Sequence, residues 1–499
     1  MSENENPVNI TINGRHRTKN IGLWLGPALA LMVFIFPAPE GLPDLGWKTA
    51  GLAFWMATWW ATEAMPIAVT SLLPMAYLPI MGIATKAAAT TPYAHPVIML
   101  LFGGFMMAMA MQRWNLHKRI ALNILIRVGG HPSSLIGGFM LATAVLSMWI
   151  SNTASALMMM PIALSVAENI APDGVDKNGQ PKTHAFTLAL LLGIAYSASI
   201  GGLGTIIGTA PNALVVAYLA DNNGFEITFV QWMMFGVPIV ICMLPTAWFV
   251  LTKLCYPHIE VKKGGGEVVQ QQLDDMGPIT TAEKRTGQVF GFIAFLWIFG
   301  ALIKQIPLFS GINDTSTAIM GVILMFVVPA GCKNNKGDDG FLLNWEWANK
   351  IPWGVLLLFG GGVSLAGAVG TSGLALWLGD LLAVLTTFDL IIFLAALVAM
   401  IIFLTELTSN TATVAMILPV LGAIALKGDY NPLMLAAPAA MAGSCAFMLP
   451  VATGPNAVIF AGGKVRIPDM VQAGLRLNIL GIFIVTLLCY MLVPIVFDL

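Results

Sequence analysis

The chain has 499 residues, 57% hydrophobic and only 10% charged, with a mean hydropathy of +0.81 and a net charge of −1. A water-soluble domain carries roughly a quarter charged residues, so the bilayer must be this chain's main solvent, with room for about a dozen spans of roughly 20 residues each. The near-zero charge excludes a basic face for nucleic acid, and Cys242, Cys255, Cys332, Cys445 and Cys489 are scattered without metal-ligand spacing.

The first 20 residues are polar, include Arg15, His16, Arg17 and Lys19, and lack the pattern of a cleaved signal peptide. Apolar runs then predict spans over 21–37, 47–61, 64–83, 96–112, 185–220, 228–252, 287–306, 313–330, 353–370, 432–462 and 473–497, eleven crossings in all. Two further apolar segments, 132–170 and 388–427, are each interrupted at mid-length by Ser-Asn-Thr. A through-going helix has no reason to break there, so both are expected to be hairpins that enter and leave on one side, with the tripeptide at the tip. Spans 185–220 and 432–462 are broken as well, by Gly201-Gly202 with Thr209-Ala210-Pro211 and by Pro450 with Thr453-Gly454-Pro455. They read as half-helices joined by an unwound loop. Amphipathic stretches at 113–130 and 371–387 read as interfacial helices. The polar segment 257–286, with Gly264-Gly265-Gly266, reads as a flexible cytoplasmic linker between the halves. With the N-terminus inside and the C-terminus outside, alternation puts 20 of the 24 Lys and Arg on the cytoplasmic side, all but Lys48, Lys86, Lys304 and Lys427.

The halves share motifs in one order. Ser151-Asn152-Thr153 recurs 258 positions later as Ser409-Asn410-Thr411, and Leu101-Phe102-Gly103-Gly104 recurs 257 later as Leu358-Phe359-Gly360-Gly361. Thr209-Ala210-Pro211-Asn212 answers to Thr453-Gly454-Pro455-Asn456 at an offset of 244, the shortfall matching the polar stretch 171–184 that the second half lacks. Alternation makes the two units antiparallel, an inverted repeat that brings equivalent motifs together near mid-bilayer.

At each tip, hydroxyls and an amide lie beside the free N–H groups of a starting helix, a setting that suits a carboxylate or another oxyanion. The unwound loops offer carbonyl oxygens which, with Asn and Ser/Thr oxygens, suit a small hard cation such as Na⁺. Helix capping alone would also place Ser and Asn at such positions, but two copies matched at mid-membrane favour a binding site. No Lys, Arg or His falls within either tripeptide or broken loop, so the charge of a bound dianion must be balanced by co-bound cations, which couples the two affinities. Glu406, three residues before Ser409, reads as a supporting group near water at the mouth of the outer hairpin. Glu63, in Trp-Trp-Ala-Thr-Glu-Ala-Met-Pro-Ile, reads either as functional or as a structural hydrogen-bonding group in the bundle.

The paired tips, the Glu63 motif at 59–67, and Ser-Cys-Ala-Phe-Met-Leu-Pro-Val-Ala-Thr-Gly-Pro-Asn-Ala-Val-Ile-Phe at 444–460 resemble the divalent anion:sodium symporters, also called INDY or sodium:dicarboxylate symporters. The resemblance covers the chain from about residue 20. It implies an all-α polytopic homodimer in the bacterial inner (plasma) membrane, with about eleven transmembrane helices and two re-entrant hairpins. Each protomer would have a scaffold and a transport domain that moves as an elevator. The divisions are a cytoplasmic tail (1–20), scaffold-side helices (21–112), a first repeat core (113–220), helix six (221–252), a cytoplasmic linker (253–286), scaffold helices seven and eight with their loop (287–352), a second repeat core (353–466) and a last helix (467–499). By the same resemblance, one sodium belongs around Ser147, Ser151, Asn152 and Gly201-Gly202. A second belongs at Thr405, Thr408, Asn410 and Ala452, with Thr408 and Ala452 acting through their backbone. Ser147 and Thr405 each precede their tip serine by four residues, which agrees with the internal repeat. Substrate carboxylates would contact Asn152, Thr153, Ser409, Asn410, Thr411 and Thr453, supported by Pro211, Asn212, Pro455, Asn456 and Glu406.

The function expected is Na⁺-coupled uptake of a C4-dicarboxylate such as succinate, malate or fumarate, with Na⁺ as the co-transported ion and no enzymatic activity. Alternatives within transport are a sulfate or tricarboxylate symporter and a sodium-independent exchanger. An intramembrane hydrolase using Ser151 or Ser409 would need a general base within reach, and only Glu406 comes near in sequence. A channel has no need of two carrier-type unwound sites.

Overall fold

The computed structural model describes residues 7–128, 131–175, 181–257, 259, 261, 264–331 and 340–499. Of the residues invoked above, Cys332 and, among the lysines assigned to the cytoplasmic side, Lys177, Lys262, Lys263, Lys333 and Lys336 lie outside them. In chain order the helices are α1 (Pro7–Ile35), α2 (Asp44–Thr62), α3 (Ile67–Thr70), α4 (Leu73–Ile80), α5 (Lys86–Thr90), α6 (Pro96–Arg113), α7 (Leu116–Val128), α8 (Pro132–Ser147), α9 (Asn152–Ile170), α10 (Ala185–Gly202), α11 (Ala210–Asn223) and α12 (Phe229–Phe249). The second half continues with α13 (Gly265–Asp275), α14 (Thr281–Ile303), α15 (Asp314–Val327), α16 (Trp345–Ala348), α17 (Trp353–Thr371), α18 (Leu374–Leu381), α19 (Leu390–Thr405), α20 (Asn410–Gly428), α21 (Pro432–Gly443), α22 (Gly454–Ala461) and α23 (Ile467–Phe497). Among the described residues the β-structure is a two-residue ladder, Gly174–Val175 with Pro181–Lys182, and one isolated bridge, Pro329 with Phe341. Nine of its helical segments are long and apolar enough to cross a membrane.

Local chemistry sets the ends. Proline stands in the first turn of α6, α8, α11, α21, α22 and α23, where its missing N–H costs nothing. Reciprocal caps start α12 (Thr228 with Gln231), α14 (Thr280 with Glu283) and α15 (Asn313 with Ser316).

Both expected hairpins and both broken spans are present: α8 and α9 turn at Ser147–Asn152, α19 and α20 at Thr405–Asn410, and α10/α11 and α21/α22 are interrupted between 202 and 210 and between 443 and 454. Two expectations need correction. The predicted span 64–83 is two short helices, because Pro74 has no N–H to donate to the Thr70 carbonyl, and the Ser71 carbonyl at the break accepts from the Tyr93 hydroxyl. The described residues of the linker 253–286 are docked rather than loose: α13 packs on α7 and α9 with Val269 buried, and Arg119 of α7 donates to Glu283 at 2.8 Å and to the Gly277 carbonyl at 3.0 Å. The first span is continuous with helix that begins at Pro7.

Packing obeys the repeat. Hairpin arm α9 lies on α10 of its own repeat and α22 of the other; its counterpart α20 lies on α21 and on α11. Likewise α12 and α23, each following a broken span, pack on each other. The most enclosed of the nine is α10, whereas in the most apolar stretch of α23 only 28% of residues are buried, as suits a helix with a lipid-facing side. Two glycines make the equivalent close approach in each repeat: a Cβ on Gly236 of α12 would stand 2.4 Å from the Leu203 carbonyl oxygen, and one on Gly474 of α23 would stand 2.4 Å from that of Phe447. Gly236→Ala and Gly474→Ala are therefore expected to cost about 1–3 kcal/mol each by overpacking against backbone. Gly367→Ala on α17, with nothing within 4 Å of the new methyl, is expected to be neutral or to gain up to about 1 kcal/mol. Thermal unfolding of the purified variants in detergent checks the contrast, and equal melting of all three contradicts it.

Candidate functional site

Breaking a helix at membrane depth strands backbone donors and acceptors that no lipid can satisfy. The two loops solve this alike. Asn212 Nδ2 donates to the carbonyls of Gly202 (3.0 Å) and Thr205 (2.8 Å), and Asn456 Nδ2 donates to those of Ala446 (3.2 Å) and Leu449 (3.0 Å). Both asparagines are fully buried, and donors and acceptors alike match at the offset of 244. The supporting role expected of Asn212 and Asn456 is thus a brace across each unwound turn, which Pro211 and Pro455 help to end by starting α11 and α22.

The tips are also built alike. Ser147 Oγ and Thr405 Oγ1, at the last residues of α8 and α19, sit 2.6 and 2.7 Å from the Asn152 and Asn410 side-chain amides across each turn. Each hydroxyl also reaches a carbonyl of the neighbouring broken span, Ala198 at 2.6 Å and Gly443 at 3.3 Å. One end of the Asn152 amide lies 2.6 Å from Ser147 Oγ, 3.2 Å from the Ala198 carbonyl and 3.1 Å from that of Gly208. With nitrogen there the amide donates to all three; with oxygen there, it accepts from Ser147 Oγ and faces the two carbonyls. Gly202 gives this amide room, since a Cβ would come within 2.7 Å of it, and Gly201 lets α10 approach the Ala144 backbone. Ser151 Oγ caps the Ala154 N–H at 3.2 Å. Thr408 Oγ1 bonds to the Leu404 carbonyl and to Thr413 Oγ1.

Tips and loops share one cavity of about 720 Å³, and every residue expected to touch substrate lines it: Asn152, Thr153, Ser409, Asn410, Thr411 and Thr453, with Thr408 and Ala452 beside them. Ser147, Gly201, Gly202 and Thr405 lie behind this lining and shape it, being buried themselves. The repeats touch directly: Thr209 Oγ1 bonds to Ser444 Oγ at 3.3 Å, and a Cβ on Gly454 would collide with Thr153 Oγ1. Four helices, α9, α11, α20 and α22, begin at this cavity, so four partial positive charges point at it. No Lys, Arg or His is among its described lining residues. Thr18, Thr62 and Glu63 complete the wall, which places the opening where α1 enters the apolar layer and α2 leaves it. A larger cleft of about 1140 Å³ lies at the other end of α11, lined by His95, Asp221, Lys304 and Asp314. None of the expected site residues reaches it.

Glu406 departs from expectation. Instead of sitting near water it is 3% exposed, and its carboxylate accepts from the N–H groups of Phe447 (2.7 Å), Met448 (2.9 Å) and Leu449 (3.0 Å) and from Asn478 Nδ2 of α23 (2.7 Å). It is the keystone of the second unwound loop, and this donor-rich cage leaves it no role as a general base. Its counterpart at the offset of 258 is Met148, whose carbonyl accepts from Thr205 Oγ1 at 2.5 Å. Reading the tripeptides alone misses Thr205, Ser444 and Asn478. The asparagine at the start of the long apolar run of α23 was the available signal for the last, since polar groups at that depth need a partner. Glu406→Ala strands four buried donors, each worth about 1–3 kcal/mol when left unmade. Hydrogen exchange at Phe447, Met448 and Leu449 is expected to rise by at least tenfold in this variant while the first loop, 202–209, keeps its protection. Unchanged exchange at those three amides contradicts the assignment.

Comparison with known proteins agrees with this architecture. A sequence profile described as the sodium:sulfate symporter transmembrane region matches residues 17–498. The chain is 41% identical over 478 residues to the sodium-dependent dicarboxylate transporter SdcS of Staphylococcus aureus strain USA300, spanning 95% of this chain and 91% of that protein, and the same figures hold for SdcS of strain MSSA476. Among solved structures, the YdaH transporter of Alcanivorax borkumensis superposes with a TM-score of 0.55 at 13% identity, over 96% of this chain and 98% of the other, a likeness of fold. With an inverted repeat, two tips and two braced loops around one cavity, and a family match over nearly its whole length, the chain belongs to the sodium:sulfate symporter family of membrane transporters.

Proposed function

We propose that this protein is a secondary active transporter that carries C4-dicarboxylates (succinate, malate or fumarate) into the cell together with Na⁺. The observation that carries the reading is a cavity with four helix N-termini, paired hydroxyl and amide side chains and no basic residue among its described lining. A dianion gains from the helix termini and tip donors, but full neutralisation needs cations. Two oxygen clusters stand directly behind the tips to hold them. The first is Ser147 Oγ, the Asn152 amide and the Ala198 and Gly208 carbonyls; the second is Thr405 Oγ1, the Asn410 amide and the Gly443 carbonyl, near Ala452. The same two asparagines face both ion and substrate, so sodium filling the clusters orients the amides that receive a carboxylate. That shared pair of side chains is the coupling. The dicarboxylate named for the 41%-identical relatives supports this substrate class, and the sulfate named for the family makes sulfate the second reading.

The movement proposed is an elevator. Hairpins, broken spans, α12 and α23 interlock across the repeats, so they are suited to travel as one body against the remaining helices, within a homodimer in the plasma membrane with the N-terminus cytoplasmic and the C-terminus outside. In this frame the cavity opens to the cytoplasm, at Thr18 and Glu63.

Purified protein in liposomes, given radiolabelled succinate under an inward sodium gradient, is expected to accumulate label, and potassium in place of sodium is expected to abolish accumulation. Uptake indifferent to sodium overturns symport in favour of exchange, and inhibition by sulfate but not by malate or fumarate moves the substrate to the second reading. Asn152→Ala and Asn410→Ala are each expected to lower uptake at least tenfold while the protein stays folded by size-exclusion chromatography. Parental activity in either variant tells against the site.

A further inference from the structure

The larger cleft lies at the end of α11 away from the substrate cavity, with Asp221 about 17 Å along that helix from its start. One side of the cleft is a corner where α6 and α15 begin. Thr315 Oγ1 donates to the Pro96 carbonyl at 2.9 Å, and Trp297 Nε1 of α14 donates to the Asp314 carbonyl at 3.0 Å, so three helices are tied together there. The other side is the turn from α11 to α12. It is closed at one end by Gly224 in left-handed backbone (φ 71°) and at the other by the Thr228–Gln231 cap. Two bonds cross from the corner to this turn. His95, which caps α6, accepts the Val97 N–H at Nδ1 (3.2 Å), which leaves the ring proton on Nε2, 3.0 Å from Asp221 Oδ1. Asp314 Oδ2 accepts the N–H of Phe229, the first residue of α12, at 2.7 Å. Each side thus contributes one carboxylate.

We propose that His95, Asp221 and Asp314 form an outer clasp that holds the cytoplasm-open state and must release in every transport cycle. This rests on the transport reading above, in which α11 and α12 travel with the hairpins while α6 and α15 stay. Each bond joins a travelling helix to a standing one. Both are made while the substrate cavity faces the cytoplasm, and neither survives a displacement of several ångströms. Bonds present in one state and absent from the other weight the balance by their full worth. Asp221 is 38% exposed, so its bond is partly screened, and each crossing bond is expected to alter the balance about three- to tenfold. Where the outward-facing state is the minor one, loosening the clasp raises its population and tightens apparent binding from outside by the same factor.

The test measures sodium-driven succinate uptake by the full chain in right-side-out membrane vesicles. His95→Asn keeps a side chain that caps the start of α6 but is too short to reach Asp221, and Asp314→Ala removes the acceptor of the Phe229 N–H. Each is expected to lower half-saturating external succinate about three- to tenfold. His95→Cys combined with Asp221→Cys and joined by a short thiol cross-linker is expected to abolish uptake, with recovery on reduction, whereas the reagent leaves uptake by either single cysteine variant unchanged. A merely structural contact moves the melting temperature but neither half-saturation from outside nor sensitivity to the cross-link. Parental half-saturation in both substitutions, or uptake that survives the cross-link, overturns the clasp while sodium-driven uptake by the parent preserves the transport reading. Lack of sodium-driven uptake by the parent removes both.

Discussion

Everything in this structure depends on how helices are allowed to stop inside a bilayer. An interrupted helix exposes carbonyl and N–H groups that hydrocarbon cannot bond, so each interruption must bring its own partners. Here an asparagine, ten residues after the first stranded carbonyl, ties down each unwound turn: Asn212 for 202–205 and Asn456 for 446–449. Once those turns are braced, two more helix N-termini can point into the same space as the two hairpin tips. The anion site proposed above, without basic side chains and completed by cations, rests on that geometry.

The repeats are not chemically equal. The second loop is gathered by an ionisable group, Glu406, which binds three consecutive N–H groups and reaches α23 through Asn478. The first uses the Thr205 hydroxyl on the Met148 carbonyl in the matching place. A buried carboxylate in a cage of donors costs far more to disturb than a hydroxyl–carbonyl bond, so the second loop is the stiffer of the two and the first has more freedom to adjust. The Asn152 amide, which satisfies three acceptors with its nitrogen inward and forms a four-oxygen cluster when reversed, sits beside that freer loop.

Much of this was legible in the residues. The duplicated Ser-Asn-Thr and Thr-x-Pro-Asn motifs located both tips and both loops, because polar residues in so apolar a chain occur only where something must be bonded, and all six expected substrate contacts do line one cavity. Less legible were features decided by tertiary contact. Pro74 splits a span that hydropathy alone reads as continuous. The glycines at 264–266 suggest slack, yet α13 docks because Val269 finds a buried seat. Glu406 looked water-facing from its place in the hairpin, but the donors that bury it come from residues about 40 positions later and from Asn478, 72 away. Periodicity carries no information about partners that distant.

The central claim is that sodium, rather than a basic side chain, completes the anion site, and binding linkage tests it most directly. Succinate affinity of the purified protein, measured by equilibrium binding across a sodium titration at constant ionic strength with potassium as the replacement, is predicted to strengthen steeply with sodium, and sodium affinity is predicted to strengthen with succinate by the same factor. Succinate binding equally tight in potassium alone would contradict the account.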